Sequence, residues 1–329
     1  SAIDIYEPTE HFILATNPDG SVIHVPISTI INGTRITSSG SFSPAISIYS
    51  QNSPILSSNT ITLQNSHGGS SSAITVNNVG SRNPFIHNNT IIIGENPLLH
   101  TNNASGIVSS AQGTRVLSNT IRMENAPPFP ITGTTFFGVE ILSSDAVVES
   151  NNLFLTGNRT YGVFISGGPA YGAGTLFNIT VKNNTINGGT GPIYLTNLHD
   201  STIVNNSIVG GNDPGYASQI DAPSLVLATA SGTNIIRGNT GAKIHVGQAE
   251  NVTVRDNNAI TIRVTESNNT NIFNNVVATT VPYRESTGGS SLVLSSSKNA
   301  TIRNNTITLS STLPENGLGL PSTVSISAG

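Results

Sequence analysis

The 329-residue sequence predicts an all-β solenoid, one stack of about ten coils with three short strands each. Three observations carry that expectation. A short phrase built on Asn recurs along nearly the whole chain. A second phrase, with period-2 alternation, sits between its copies. The composition fits a polar but nearly uncharged outer surface. Lys, Arg, Asp and Glu supply 9% of the residues, whereas 40 Asn, 42 Ser and 38 Thr equal in number the whole hydrophobic set of 36%.

The first phrase is an Ile or Val, one to three residues, Asn or Asn-Asn, then Thr-Ile or a close variant. It runs from Ile55 to Ile61 (ILSSNTI), Ile86 to Ile91 (IHNNTI), Val116 to Ile121 (VLSNTI) and onward to Ile302 to Ile307 (IRNNTI). Its final Asn falls at Asn59, Asn89, Asn119, Asn152, Asn184, Asn206, Asn239, Asn258, Asn275 and Asn305. A weaker copy lies at Ile30 to Thr34. Repeats of roughly 20 to 30 residues with strand chemistry build solenoids, in which each repeat touches only its neighbours.

The second phrase appears as Ala45-Ile46-Ser47-Ile48, Ala73-Ile74-Thr75-Val76, Gly138-Val139-Glu140-Ile141 and Gly162-Val163-Phe164-Ile165, among others. Alternation of this kind marks a strand with one buried face. Each coil then holds an alternating strand, a strand ending at the Asn, and a strand beginning Thr-Ile. The Asn has two physical reasons to recur. It tolerates the left-handed backbone of a tight bend better than most residues. Stacked at one strand spacing, its side chains also bond each other as a ladder.

On these phrases the chain resembles the pectin-lyase-like superfamily, including NosD-like repeats. The resemblance covers residues 28 to 309 and implies a single right-handed parallel β-helix with Asn-rich turns. It says little of function, because that scaffold carries lyases, hydrolases, adhesins and inert fibres alike. Residues 1–27 read as an N-terminal strand and hairpin, turning at Asn17-Pro18-Asp19-Gly20. Residues 310–329 read as a strand-like tail. Each terminal segment is expected either to cap its own end or to pair with a neighbouring subunit. Long insertions at 94–104, 124–136, 166–177, 210–222 and 279–289 read as loops from one corner, presenting Tyr171, Tyr216 and Tyr283.

Composition excludes several function classes. No apolar run reaches about 18 residues, so no membrane-spanning helix is expected. Thirteen cations against 17 anions, with no Lys/Arg cluster in sequence, argue against nucleic acid. The absence of Cys and scattered His leave no metal or cofactor site to expect. The start at Ser1-Ala2 reads as a mature, secreted product.

If the alternating strands stack in register, their outward residues form one column from Ser47 through Thr75, Val108, Glu140, Phe164, Tyr194, Val226, His245 and Arg263 to Val293. In polysaccharide-acting members of the superfamily this face carries the groove. Phe164 and Tyr194 are the candidates for stacking on sugar, and Glu140, His245 and Arg263 the only ionisable candidates for catalysis. A glycosidase needs two carboxylates roughly 5 to 9.5 Å apart, and the column offers one. Asp145 and Glu149, at a strand boundary nearby, are a candidate for weak cation binding. Eleven Asn-X-Ser/Thr sequons occur, no more than this composition gives by chance. Asn32, Asn103, Asn158 and Asn268 are the better glycan acceptors among them.

The expectation is therefore a secreted, extracellular or cell-surface structural solenoid, self-associating head to tail as a homopolymer, more a scaffold than an enzyme. A carbohydrate-active protein, lyase-like or glycan-binding, is the alternative.

Overall fold

The computed structural model describes residues 3–5, 12–16, 22–26, 29–38, 44–49, 52–64, 71–77, 81–94, 104–124, 135–156, 160–168, 174–209, 224–281, 291–311 and 324–327. Among these residues there is no helix. The chain winds as a parallel β-helix with three strand-bearing faces.

Face 1 carries the alternating strands, from Ile46–Ile48 and Ser71–Val76 down to Thr261–Thr265 and Leu292–Ser295. Face 2 runs from Ile30–Asn32 and Ile55–Ser57 to Asn271–Phe273 and Thr301–Arg303. Face 3 runs from Arg35–Ser38 to Thr306–Ser311. Thr240 continues face 3 through single bridges to Ser207 and Asn258. Every pairing between neighbouring coils is parallel, and the strand Gly191–Val204 turns the corner from face 1 to face 2 without a break.

Inward residues stack in register into apolar columns. One runs Leu56, Ile86, Val116, Val148, Val181, Ile203, Ile236, Val254 and Ile272, all at 1% exposure or less. Deleting the branched part of any such side chain costs about 2–5 kcal/mol, because stacked coils cannot collapse into the gap.

The bend between faces 2 and 3 follows one frame. After the inward residue of face 2 come one outward residue, one residue at positive φ, the ladder Asn, one outward residue, and the inward residue of face 3. Ile86, His87, Asn88, Asn89, Thr90 and Ile91 show it, with Asn88 at φ 55°. The left-handed residue is thus the one before the ladder Asn, not the ladder Asn itself. Ser58, Ser118, Ser150, Asn183, Asn205, Gly238, Asp256, Asn274 and Asn304 hold the same position.

That frame corrects two ladder positions. In Ser150-Asn151-Asn152 and Asp256-Asn257-Asn258 the left-handed residue precedes both asparagines. The ladder therefore takes Asn151 and Asn257, buried at 0% and 1%, and leaves Asn152 and Asn258 exposed on face 3. Counting back from Phe154 and Ile260 misses this, because the inward residues are Leu153 and Ala259.

The ladder runs unbroken from Asn59 through Asn89, Asn119, Asn151, Asn184, Asn206, Asn239, Asn257 and Asn275 to Asn305. From Asn89 onward each Oδ1 accepts from the backbone N–H and the Nδ2 of the preceding rung at 2.9–3.1 Å. Each Nδ2 also donates to a face 2 carbonyl one coil back, such as Asn119 Nδ2 to Ile86 O at 3.0 Å.

At the N-terminal end Ile3–Ile5 pairs parallel with Ile46–Ile48, and Phe12–Thr16 forms an antiparallel hairpin with Val22–Pro26. The hairpin's turn lies outside the described residues. At the other end Val324–Ser327 pairs parallel with Leu292–Ser295. The insertions also lie largely outside the described residues, Tyr171, Tyr216 and Tyr283 included. Their flanking strands show that four of the five leave between faces 3 and 1. The insertion at 166–177 instead joins face 1 to face 2.

Candidate functional site

Face 1 presents one continuous outward column. Ser47, Thr75, Val108, Glu140, Phe164, Tyr194, Val226, His245, Arg263 and Val293 are each in register with the next. In the terminal strands Asp4 pairs in register with Ser47, and Ser325 with Val293.

Glycines shape its middle. A Cβ on Gly106 would lie 2.6 Å from Gly138 O, and one on Gly138 would lie 2.6 Å from Gly162 O. This close backbone stacking breaks strict alternation, so Phe137 and Glu140 both stand on the outer side of one strand while Val139 points inward. Phe137 and Tyr161 thereby form a short second column beside the first.

The result is an aromatic cluster of four rings. Phe164 stacks on Tyr194 at 5.6 Å with planes 9° apart, and its ring also lies 4.8 Å from Phe137. Tyr161 stacks on Phe137 at 5.6 Å and meets Tyr194 edge-on at 5.7 Å. Phe164 is 6% exposed. Its ring is packing material for this cluster and has no free face for a sugar, which corrects its place among the stacking candidates. Tyr194 and Tyr161 stay half-buried.

Glu140 lies next to Phe164 in the column, with the Ser105 hydroxyl 3.4 Å from its Oε2. Burial pushes its carboxyl above the usual range, and the Ser105 hydrogen bond pulls only partly against that. His245 has Thr265 Oγ1 3.1 Å from Nε2. Burial, and then the neighbouring Arg263 guanidinium, hold its imidazole below its ordinary value, so it is the neutral form that persists.

These three candidates do not converge. Phe164, Tyr194 and Val226 lie between Glu140 and His245, four strand spacings or about 19 Å. Arg263 is one spacing further. A proton donor and acceptor serving one bond must both reach it within hydrogen-bond distance. Asp145 and Glu149 are engaged elsewhere. Asn178 and Gln112 donate to Asp145 at 2.8 and 2.7 Å and hold its carboxyl below the usual range. Lys182 pairs with Glu149 at 3.1 Å. Among the described residues no group of three or more His, Asp or Glu could hold a metal ion.

One constellation escaped sequence reasoning. His199 stands with Nδ1 3.0 Å from Ser231 Oγ and Nε2 3.3 Å from Asp200 Oδ2. It resembles a nucleophile–base–acid relay, but the His199 and Asp200 side chains are 37% and 45% exposed, and Asp200 also accepts from Thr233 N–H at 2.7 Å. Water competes for every one of these bonds. No sequence signal announces the trio, since Ser231 meets His199 only through coil register.

The turns also account for most sequons. Asn88, Asn183, Asn205 and Asn304 are the left-handed residues before face 3, and Asn178, Asn251 and Asn299 are left-handed before face 2. A hydroxyl two residues later is simply the first outward position of the next strand. Of the acceptors expected from sequence, Asn32 is exposed and accepts from Ser57 Oγ at 2.8 Å, and Asn268 is half-buried in a bridge to Glu250 and Lys298. Asn103 and Asn158 lie outside the described residues.

A family model described as "Right handed beta helix region" matches residues 130–307, more than half of the chain. The chain belongs to the right-handed β-helix family. No curated protein matches this β-helix. Among solved structures it is similar to the A-module of Azotobacter vinelandii mannuronan C-5 epimerase AlgE4, at 11% identity over 92% of this chain and 91% of that one, with a TM-score of 0.39. The AlgE6 A-module is similar at 13% identity, 88% and 92% coverage, and a TM-score of 0.30. Likeness at this level bears on neither activity nor substrate.

Proposed function

We propose that this β-helix is a secreted, non-enzymatic structural protein of an extracellular or cell-surface assembly, joined to copies of itself end to end. One observation carries the reading. At the C-terminal coil, Val324 and Ile326 continue the core positions of Leu292 and Leu294, yet they are 41% and 65% exposed. Ile302 and Ile307 below face 2 and face 3 are also only partly buried. The first coil differs, with Ile31 and Ile36 at 7% and 5%. Open apolar positions beside strand edges favour a further layer of strands, and a second copy supplies one. Where the receiving surface is the first coil of the copy, the contact is heterologous and propagates as a filament. The scattering of Glu140, His245 and Arg263 over about 24 Å supports the same reading against catalysis.

The test is light scattering with negative-stain microscopy on the protein across a concentration series. Association that grows with concentration, and is lost in Ile326→Lys, is the expected result. A monodisperse monomer at every concentration overturns it. The alternative, a glycan-binding face, has the half-buried Tyr194 and Tyr161 in its favour. Binding to a polysaccharide panel, abolished by Tyr194→Ala and untouched by Ile326→Lys, would replace the structural reading with it.

A further inference from the structure

The N-terminal hairpin is patterned for burial on both sides. Its strands, Phe12–Thr16 and Val22–Pro26, pair only with each other among the described residues. The register puts Ile13, Ala15, Ile23 and Val25 at positions of one side. Phe12, Leu14, Val22 and Pro26 take positions of the other, where Thr16 and His24 are the polar exceptions. A strand with one face in water alternates apolar and polar residues, whereas strands covered on both faces read as nearly continuous apolar runs. A two-stranded hairpin is also marginal by itself and needs a surface to pack on.

Its own chain offers one such surface. Residues 27–29 alone separate it from Ile30–Asn32, which keeps it at the first coil. One coil end covers one side of a two-stranded sheet, and the pattern calls for a second cover. The last coil has the matching opening, with Val324 and Ile326 41% and 65% exposed at core positions.

Two further observations join hairpin and last coil. The ends do not stack directly in register, because the first described strand, Ile3–Ile5, and the last, Val324–Ser327, both lie on face 1. Coil set on coil would double face 1 and leave faces 2 and 3 one strand short, so a separate element has to fill the seam. Charge agrees. Before Arg35 the chain carries Asp4, Glu7, Glu10 and Asp19 and no Lys or Arg. From Ser291 to Ser311 it carries Lys298 and Arg303, both exposed, and no Asp or Glu.

We propose that the hairpin Phe12–Pro26 is a two-sided plug, closing its own first coil with one side and seating with the other on the open last coil of a second copy. This rests on the end-to-end assembly proposed above and names the element that makes the contact. Plug and seat lie at opposite ends of the chain, so the contact is heterologous and gives the assembly one polarity.

The experiment is thiol cross-linking of the full chain, which has no Cys of its own. Chains carrying Ile13→Cys, Leu14→Cys, Ile23→Cys or His24→Cys sample both strands and both sides of the hairpin. Each is mixed at low salt with an Ile326→Cys chain. Packed sheets lie roughly 10 Å apart, beyond the roughly 4.4–6.8 Å that a disulfide spans, so a short bismaleimide is the reagent. Expected is a heterodimer from at least one hairpin position, at least tenfold above the yield with Asn152→Cys, an exposed site at mid-rod on face 3. Light scattering of the parent runs alongside. A parent that associates without such a heterodimer, or Ile326→Cys chains that link only to each other, overturns the plug and leaves self-association standing. A parent that stays monomeric at every concentration overturns both.

Discussion

Replacing Asn119 by Ala tests the ladder at its centre. The side chain is fully buried, and its Oδ1 accepts from Asn89 N–H at 3.0 Å and Asn89 Nδ2 at 2.9 Å. Its Nδ2 donates to Ile86 O, Leu117 O and Asn151 Oδ1 at 3.0 to 3.1 Å. Alanine leaves two buried donors of Asn89 with nothing to reach. A buried donor without a partner costs roughly 1–3 kcal/mol, so the loss should be roughly 2–6 kcal/mol. Asn305→Ala is the internal comparison. Its Oδ1 serves Asn275 in the same way, but at a part-buried rung where water can substitute, so roughly 1 kcal/mol is expected. Urea unfolding followed by circular dichroism reads the difference. Because stacked repeats can lose two-state behaviour, exchange of the Asn89 amide hydrogen supplies a local reading of the same loss. If Asn119→Ala falls within about 0.5 kcal/mol of Asn305→Ala, the ladder does not hold the interior as described.

Further outcomes follow from the same geometry. Asn151→Ala should destabilise like Asn119→Ala, whereas exposed Asn152→Ala should stay within about 0.5 kcal/mol of the parent in the same urea assay. Gly138→Ala forces a Cβ to within 2.6 Å of Gly162 O, so thermal unfolding should move down by several degrees, with the near-ultraviolet signal of the aromatic cluster reduced. Glu140 has a raised folded-state value, so its contribution is fully present below the unfolded carboxyl value and is lost as pH rises through the folded one. Glu140→Gln should therefore melt with the parent near pH 4 and above it near pH 8; a constant gap between the two would refute the burial argument.

How much of this was readable from sequence depends on what sets each feature. The stack, its apolar columns and the face 1 register follow from periodicity, which is local. The bend frame was half readable. In Asn88-Asn89-Thr90 the left-handed residue and the rung are both Asn, so the two roles look like one. Only copies such as Ser150-Asn151-Asn152, where the left-handed residue is Ser, separate them. The isolation of Glu140 from His245 follows from counting coils, whereas the burial of Phe164 does not. That burial depends on Phe137 turning outward at a glycine stack, a backbone detail no alternation rule contains.

The ladder also gives the rod an electrical direction. Every rung points its carbonyl oxygen toward the preceding coil and an amide hydrogen toward the following one, from Asn59 to Asn305. Ten side-chain dipoles are therefore aligned, as peptide dipoles are in a helix, with the negative pole toward the first coil and the positive pole toward the last. The two ends of this nearly uncharged molecule differ in sign even where they carry no ionised group. The field of aligned dipoles falls off within about one coil of either end, so it acts on what docks there.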